Sequence, residues 1–390
     1  MKYKISVVIP THNIEKYLEN TINSLLTQTI GFENLEVIVI DDNSTDGTKK
    51  IIEKFVSKYR NFKGIYLTEN SGFPGKPRNM GLEKASSEYV MFMDHDDFYS
   101  EDFCEILYSK ITEEEADLVF SRYSYVFDDK ASSKSPNIFG EIDEIKINAI
   151  DDNQTFLKLA PSIWTKIFRR SFLIKNNIWF PEGMLGEDLS FITHSLLKAN
   201  GIVYLNNCFG YNYRIRNSEK EKSTIYIRNK KYLNSMILGY FDTYNILKKE
   251  KKEFYFPIIF EGHLKYWMNS FTFSNTSKLE KKELLKKIAF LIKKQNKYGF
   301  DADKGYLALF DEIKNDEYDN AILISELIYF FKNRENILNK KYINSRKTNQ
   351  KMNKLLEARK KQVAELQTLI GWLNYKIKNI SSRIKKKIKY

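Results

Sequence analysis

The 390-residue sequence predicts an α/β protein with a mostly parallel sheet, followed by a mainly α-helical region and a basic terminal helix. Three observations lead there. Short, nearly continuous apolar runs alternate with helical patterns four times at the start of the chain, as in parallel sheets covered on both faces. Each run ends in a cluster of polar residues, and in such sheets ligands gather beyond the carboxyl ends of the strands. From about Arg228 the pattern changes to helical periods rich in Lys, Tyr and Phe.

Taken in order, Lys4-Ile5-Ser6-Val7-Val8-Ile9-Pro10 reads as a central strand and Thr11-His12-Asn13 as the loop behind it. Asn13 is placed to cap the next helix, whose buried face is Leu18, Ile22, Leu25 and Leu26. A second strand, residues 35–40, ends in Asp41-Asp42-Asn43-Ser44-Thr45-Asp46-Gly47, and a helix over about 48–59 follows. Residues 64–67 form a third strand, and the loop from Asn70 to Asn79 leads into a short helix. The fourth strand, residues 89–93, runs into Asp94-His95-Asp96-Asp97. Carboxylates this close repel unless a cation sits among them, and Mg²⁺ or Mn²⁺ takes oxygen ligands of this kind together with substrate phosphates. Ser100, Glu101 and Asp102 suit the start of the following helix, but capping does not require the acidic residues before them.

Several classes are excluded on the same grounds. A dinucleotide-binding fold needs glycines in its first strand-to-helix turn, and no glycine precedes Gly31. In Gly72-Phe73-Pro74-Gly75-Lys76 the glycines stand too close for a phosphate-cradling P-loop, and Pro77 replaces the hydroxyl residue that would hold magnesium. Cys104 and Cys208 fit no metal or redox spacing and suit a reducing cytosol. No charged-then-apolar leader precedes the first strand, so a secretory signal is not expected.

The motifs in sequence carry a resemblance. Val7-Val8-Ile9-Pro10-Thr11-His12-Asn13, Val39-Ile40-Asp41-Asp42-Asn43-Ser44-Thr45-Asp46-Gly47, Gly75-Lys76-Pro77-Arg78-Asn79-Met80-Gly81 and Met93-Asp94-His95-Asp96-Asp97 resemble the successive motifs of family 2 inverting glycosyltransferases with the GT-A fold, among them bacterial capsule and teichoic-acid type enzymes. The resemblance covers roughly residues 1–215. It implies that Pro10, Thr11 and Asp42, with Asn70 beside them, hold the uracil and ribose of a UDP-sugar, and that Arg78 contacts base or phosphate. Asp94 would face the ribose, and Asp96, the last residue of the Asp-X-Asp motif, would coordinate the Mn²⁺ or Mg²⁺ that bridges the diphosphate. His95 is read as a loop side chain. Gly186-Glu187-Asp188 opens an apolar helix after Trp164-Thr165-Lys166-Ile167-Phe168-Arg169-Arg170 and resembles the family's catalytic motif, with Asp188 as the base and Glu187 positioning it or an acceptor hydroxyl. Arg214, Arg216 and Ser223 resemble residues near the diphosphate or an anionic acceptor, although a solvated strand face explains the arginines nearly as well.

The expected organisation is a transferase domain over residues 1–227, a helical domain over 228–345 and a basic coiled-coil or amphipathic helix over 346–390. Residues 128–153 read as a loop inserted over the acceptor side, and Tyr255, Ile259, His263, Tyr266 and Trp267 as helix core rather than a sugar platform. Residues 341–390 hold 15 Lys and Arg against Glu357 and Glu365, so the net charge of +13 resides in the tail. There Val363, Leu366, Ile370, Leu373, Ile377, Ile380 and Ile384 follow steps of three and four, the seam of a self-associating helix. Lys376, Lys378, Arg383 and the lysines beyond suit an anionic membrane surface, and the neutral body argues against nucleic acid. The expectation is a cytoplasmic enzyme, peripheral at the inner face of the cell membrane, moving a sugar from UDP to a glycan or polyol-phosphate acceptor. The competing readings are a nucleotidyltransferase on a related sheet and a non-catalytic assembly protein with a degenerate transferase domain.

Overall fold

Every residue of β1 (Ile5–Thr11) is buried, because this strand lies inside the sheet with helices on both faces. After it come α1 (Glu15–Leu26), β2 (Leu35–Asp41), α2 (Thr48–Lys58), β3 (Phe62–Tyr66), α3 (Gly75–Lys84) and β4 (Tyr89–Phe92), and the four strands lie parallel in the order β3-β2-β1-β4. This is the arrangement the alternating pattern predicts. The structure, a computed structural model, describes residues 2–127, 131–216, 228–295, 304–346 and 352–387.

The next segment supplies β5 (Phe98–Tyr99), α4 (Phe103–Glu113), β6 (Leu118–Ser121), β7 (Tyr123–Phe127), β8 (Ser133–Lys134), β9 (Glu144–Ile147) and β10 (Lys166–Arg169). Then come α5 (Arg170–Lys175), α6 (Glu187–Lys198), β11 (Ile202–Leu205) and β12 (Tyr211–Ile215). The main sheet extends as β4-β10-β6-β11-β9, with β10 antiparallel to both its neighbours, and a second sheet has the order β5-β12-β7-β8. Residues 131–153 are thus more than the inserted loop the sequence suggested. β9 pairs with β11 at the sheet edge, since Ile145 and Ile147 alternate with charged residues, and β8 pairs with β7.

Two local features position the cleft. The α1 start is not capped by Asn13, as its sequence position suggested. Asn13 adopts a left-handed φ of 48° and accepts from Thr45 N at 2.8 Å, while the Ile14 and Glu15 amides donate to Thr48 Oγ1 and Asp46 Oδ2 at 2.8 and 3.1 Å. Each loop therefore closes the other, which fixes the carboxyl ends of β1 and β2 side by side. At Gly81, a Cβ would stand 2.2 Å from Val8 Cγ1 and 2.9 Å from Ile40 Cδ1. Only glycine lets α3 sit this low on the sheet, and that seat carries Arg78 to the strand ends.

Helices follow: α7 (Lys230–Lys249), α8 (Phe256–Thr272), α9 (Lys278–Lys294), α10 (Lys304–Lys314), α11 (Tyr318–Arg346) and α12 (Met352–Lys387). The sequence drew a boundary at 227/228, whereas packing divides the chain into Met1–Ile324 and Ser325–Tyr390. The reason lies at α7, where a Cβ on Gly239 would stand 3.1 Å from the Gly186 carbonyl and where Thr243 meets Ser190 of α6 at 3.2 Å. Tyr255, Ile259 and Trp267 are buried as expected, while Tyr266 is exposed and pairs its hydroxyl with Tyr232. In the second unit, Val363, Ile370 and Trp372 of α12 face solvent. Ile377, Ile380 and Ile384 lie on that helix, with side chains outside the described residues. Among the described residues no helix is long and apolar enough to cross a membrane.

Candidate active site

A cleft of about 620 Å³ opens where β1, β2 and β4 end, and Pro10, Thr11, Asp42, Asn70, Arg78, Asp94, Asp96 and Arg216 all line it. On the first side, Asp42 is 6% exposed and accepts from Ser71 N and Ser71 Oγ, each at 2.8 Å. The Asn70 amide donates to the Asp42 carbonyl at 3.2 Å, and His12 Nδ1 lies 2.9 Å from that same oxygen. Thr11 is buried and donates to the Ile40 carbonyl at 3.2 Å. Across the cleft stand Asn229, Lys231 and Tyr232 at the start of α7.

Arg78 joins the two acidic motifs. Its side chain is 4% exposed, and one guanidinium reaches Asp94 Oδ1 at 2.8 Å, Glu187 Oε1 at 2.6 Å and Asp188 Oδ1 at 3.0 Å. Burial alone would lower the proton affinity of Arg78, but the three carboxylates outweigh it and push it up. Burial also raises Glu187, against the pull of Arg78. Asp188 keeps 26% of its side chain exposed, yet loss of bulk water around it, only partly offset by Arg78, pushes it up to about 8. Both acids sit in the first turn of α6, entered through Gly186 at a φ of +87°. The left-handed turn aims the pair at Arg78.

The acidic loop is held from beneath. Asp97 is fully buried and accepts from Tyr211 Oη at 2.5 Å and from the Arg214 amide at 2.7 Å. Burial, then Asp96 and Asp94, raise it well above the carboxylate range. Arg214 donates from Nε to the Asp96 carbonyl at 3.0 Å and from Nη2 to Asn20 Oδ1 at 2.8 Å. Arg216 Nε lies 2.8 Å from Asp96 Oδ2, an ion pair 17% and 13% exposed. His95 Nδ1 sits 2.9 Å from the Pro10 carbonyl, a loop-bracing position as expected.

This geometry has relatives. A model described as Glycosyl transferase family 2 matches residues 6–176. The cholesterol galactosyltransferase of Borreliella burgdorferi is 31% identical over 276 residues, covering 67% of this chain and 75% of that protein. The chain belongs to glycosyltransferase family 2.

Other members of the family are also similar. The poly(ribitol-phosphate) β-N-acetylglucosaminyltransferase TarS of Staphylococcus aureus is 34% identical over 226 residues, 57% of this chain, and the match spans only 38% of TarS. The crystal structure of S. aureus TarS 1–349 in complex with UDP-GlcNAc superposes with a TM-score of 0.66 at 28% identity, covering 83% of this chain and 90% of that one. The parallel-rich sheet with helices behind it is the GT-A architecture of this family.

Of the residues singled out in this family 2 sequence, Pro10, Thr11, Asp42, Asn70, Arg78, Asp94, Asp96 and Arg216 share one cleft, and Glu187 and Asp188 join it through Arg78. Arg214 points beneath the acidic loop rather than lining the cleft. Ser223 lies outside the described residues. Three contributors went unassigned in the sequence. Asp97 and Tyr211 anchor the acidic loop, and the only local signal was a third carboxylate in the cluster. Lys166 is 1% exposed, with Nζ donating to the Ser162 carbonyl and to Thr165 Oγ1, and burial lowers it to about 7 with Asp188 pulling the other way. It stood in the quoted Trp164 to Arg170 stretch with nothing to mark it as buried.

Proposed function

We propose that the chain is an inverting glycosyltransferase that moves a sugar from a UDP-sugar to a hydroxyl of a cell-surface polysaccharide, a teichoic-acid-type polymer or a lipid-linked glycan. The observation that carries the reading is the single buried guanidinium of Arg78, which ties the donor-side Asp94 to the Glu187–Asp188 pair. An inverting transfer needs a carboxylate to take the proton of the acceptor hydroxyl as its oxygen attacks the anomeric carbon from the face opposite the leaving diphosphate. Asp188 takes that proton. Its raised proton affinity suits the task, since a base titrating near the working pH combines availability with driving force. Glu187 and Arg78 fix its carboxylate in place. Pro10, Thr11, Asp42 and Asn70 hold the nucleoside on the other side of the cleft. The TarS complex with UDP-GlcNAc and the teichoic-acid relatives support the donor and acceptor classes.

The donor set fits a hard divalent ion. Among the described residues no group of three His, Cys, Asp or Glu side chains gathers as a metal cage. Mg²⁺ and Mn²⁺ typically bind through one or two carboxylates plus substrate phosphates, and Asp96 offers one oxygen donor into the cleft. When bound, the ion would neutralise charge on the departing UDP. In a thermal-shift screen of UDP, GDP, CDP, TDP and ATP, stabilisation by UDP should require Mn²⁺ or Mg²⁺ and vanish in Asp96→Ala. A response to no nucleotide would transfer support to the degenerate scaffold, and a preference for another nucleotide would replace the donor.

The tail adds the site of action. We propose that α12 places the enzyme on the inner face of the cell membrane through its basic end, and that residues 363–384 associate with a second copy. Deleting residues 376–390 should release the protein from anionic vesicles while sugar transfer to a soluble acceptor continues. Co-sedimentation unchanged by the deletion would remove the membrane assignment.

A further inference from the structure

We propose that Arg216 is a resident counter-cation of the metal site, holding the Asp96 carboxylate until metal and nucleotide diphosphate arrive together. The inference rests on the proposed metal-dependent UDP reading and deepens it. Of the three carboxylates in the acidic loop, two are bound by groups that cannot leave. Asp94 is held by Arg78, itself 3% exposed and engaged by two further acids, and Asp97 by the fully buried Tyr211. Asp96 differs, because its partner, which lines the cleft as Arg78 does, keeps 17% of its side chain exposed against 4% for Arg78.

The main chain around Asp96 is fixed independently of that pair. Thr21 Oγ1 donates to the carbonyls of His95 and Asp97 at 2.9 and 2.8 Å, and Arg214 Nε donates to the carbonyl of Asp96. Arg214 is committed further through its amide to Asp97 and its Nη2 to Asn20. Arg216, two residues on and across the Tyr17 ring at 5.6 Å, lines the cleft, as Arg214 does not. The carboxylate is thus pre-set while its cation can be replaced.

The energetic consequence follows from charge. A divalent ion alone would gain one protein carboxylate at the cost of displacing a guanidinium from it, breaking an ion pair that is 17% and 13% exposed. A diphosphate changes both sides, supplying further oxygens for the metal and an anionic acceptor whose oxygens suit the planar guanidinium of Arg216. Metal and nucleotide should therefore bind with positive coupling, and by linkage each raises the affinity of the other by the same factor. Arg216 sets the size of that factor.

Mn²⁺ titrations followed by the electron paramagnetic resonance of the free ion, with and without UDP, test this on the full chain. In wild type, Mn²⁺ should bind weakly alone and at least about fivefold more tightly with UDP. In Arg216→Gln, binding of Mn²⁺ alone should strengthen, UDP affinity in the presence of Mn²⁺ should fall, and the coupling factor should shrink. Arg216→Lys, which keeps the charge, should retain weak binding of Mn²⁺ alone, and Arg216→Ala provides a second neutral variant should the Gln protein not fold. Mn²⁺ binding alone that is unchanged or weaker in the folded neutral variants, with UDP-dependent uptake intact in wild type, overturns the role of Arg216 and leaves the metal reading standing. Wild type that binds UDP with no effect of Mn²⁺ overturns both.

Discussion

Replacing Asp188 by Asn should lower the rate of sugar transfer by about 100- to 10,000-fold, the range expected for removal of a positioned general base. UDP affinity should be preserved, because Asn keeps the shape of the side chain and its carbonyl can still accept from Arg78, which now lies 3.0 Å from Asp188 Oδ1. The check is UDP release from the donor that wild type turns over, beside a calorimetric UDP titration on both proteins. A loss confined to turnover identifies a group used in the transition state, and transfer at the wild-type rate removes Asp188 from the mechanism. The pH profile carries the same assignment. Burial pushes Asp188 up to about 8, so its basic form is the minority at pH 6 and the majority at pH 9. Wild-type transfer should therefore rise with pH over this interval, and the residual rate of Asp188→Asn should lack that limb.

Arg78→Gln should be the most damaging single change to the fold of the site. It leaves Asp94, Glu187 and Asp188 facing one another without a cation, two of the acids held in the first turn of α6. Removing one partner of a buried ion pair typically destabilises by about 3–5 kcal/mol, since the charge left behind has lost its water. The acids can relieve part of this by taking up protons, and the proton affinities of Glu187 and Asp188, already raised by burial, should rise further in the variant. Groups whose affinity is raised on folding stabilise most at low pH, and that contribution disappears as pH climbs through the folded-state values. The deficit against wild type should accordingly be smaller at pH 5.5 than at pH 8 in thermal melts. Arg78→Lys should rescue little, because a single ammonium cannot present the fork that reaches three carboxylates. A variant as stable as wild type at both pH values would show that the triad of acids does not depend on this guanidinium.

The chain wrote the positions of its site into local sequence, but not their partners. Asp94, Asp96 and Asp188 were legible because each stands beside an apolar segment of readable period, the first two at a strand end and the third at a helix start. Arg78 was legible as a functional residue, but its contact with Glu187, 109 residues away, was not. The same holds for Arg216 with Asp96 and for Tyr211 with Asp97, which join β12 to a loop formed more than a hundred residues earlier. Asn13 shows the opposite error. Its residue type fits a cap, but the hydroxyl of Thr48 and the carboxylate of Asp46 lie closer to the orphan amides once β1 and β2 pair.

By itself, then, the sequence determined the parallel sheet, the edge on which its polar loops meet, the family and the basic character of the tail. These depend on periodicity and composition, which act over a few residues. Only the tertiary structure decided which charges neutralise which, that α7 closes on α6 to make the sheet and its first helices one unit, and that Asp94 pairs with a buried arginine while Asp96 pairs with a partly exposed one. Those outcomes depend on desolvation. A carboxylate removed from water must find a donor wherever the fold brings one near, and no local pattern in the chain records where that will be.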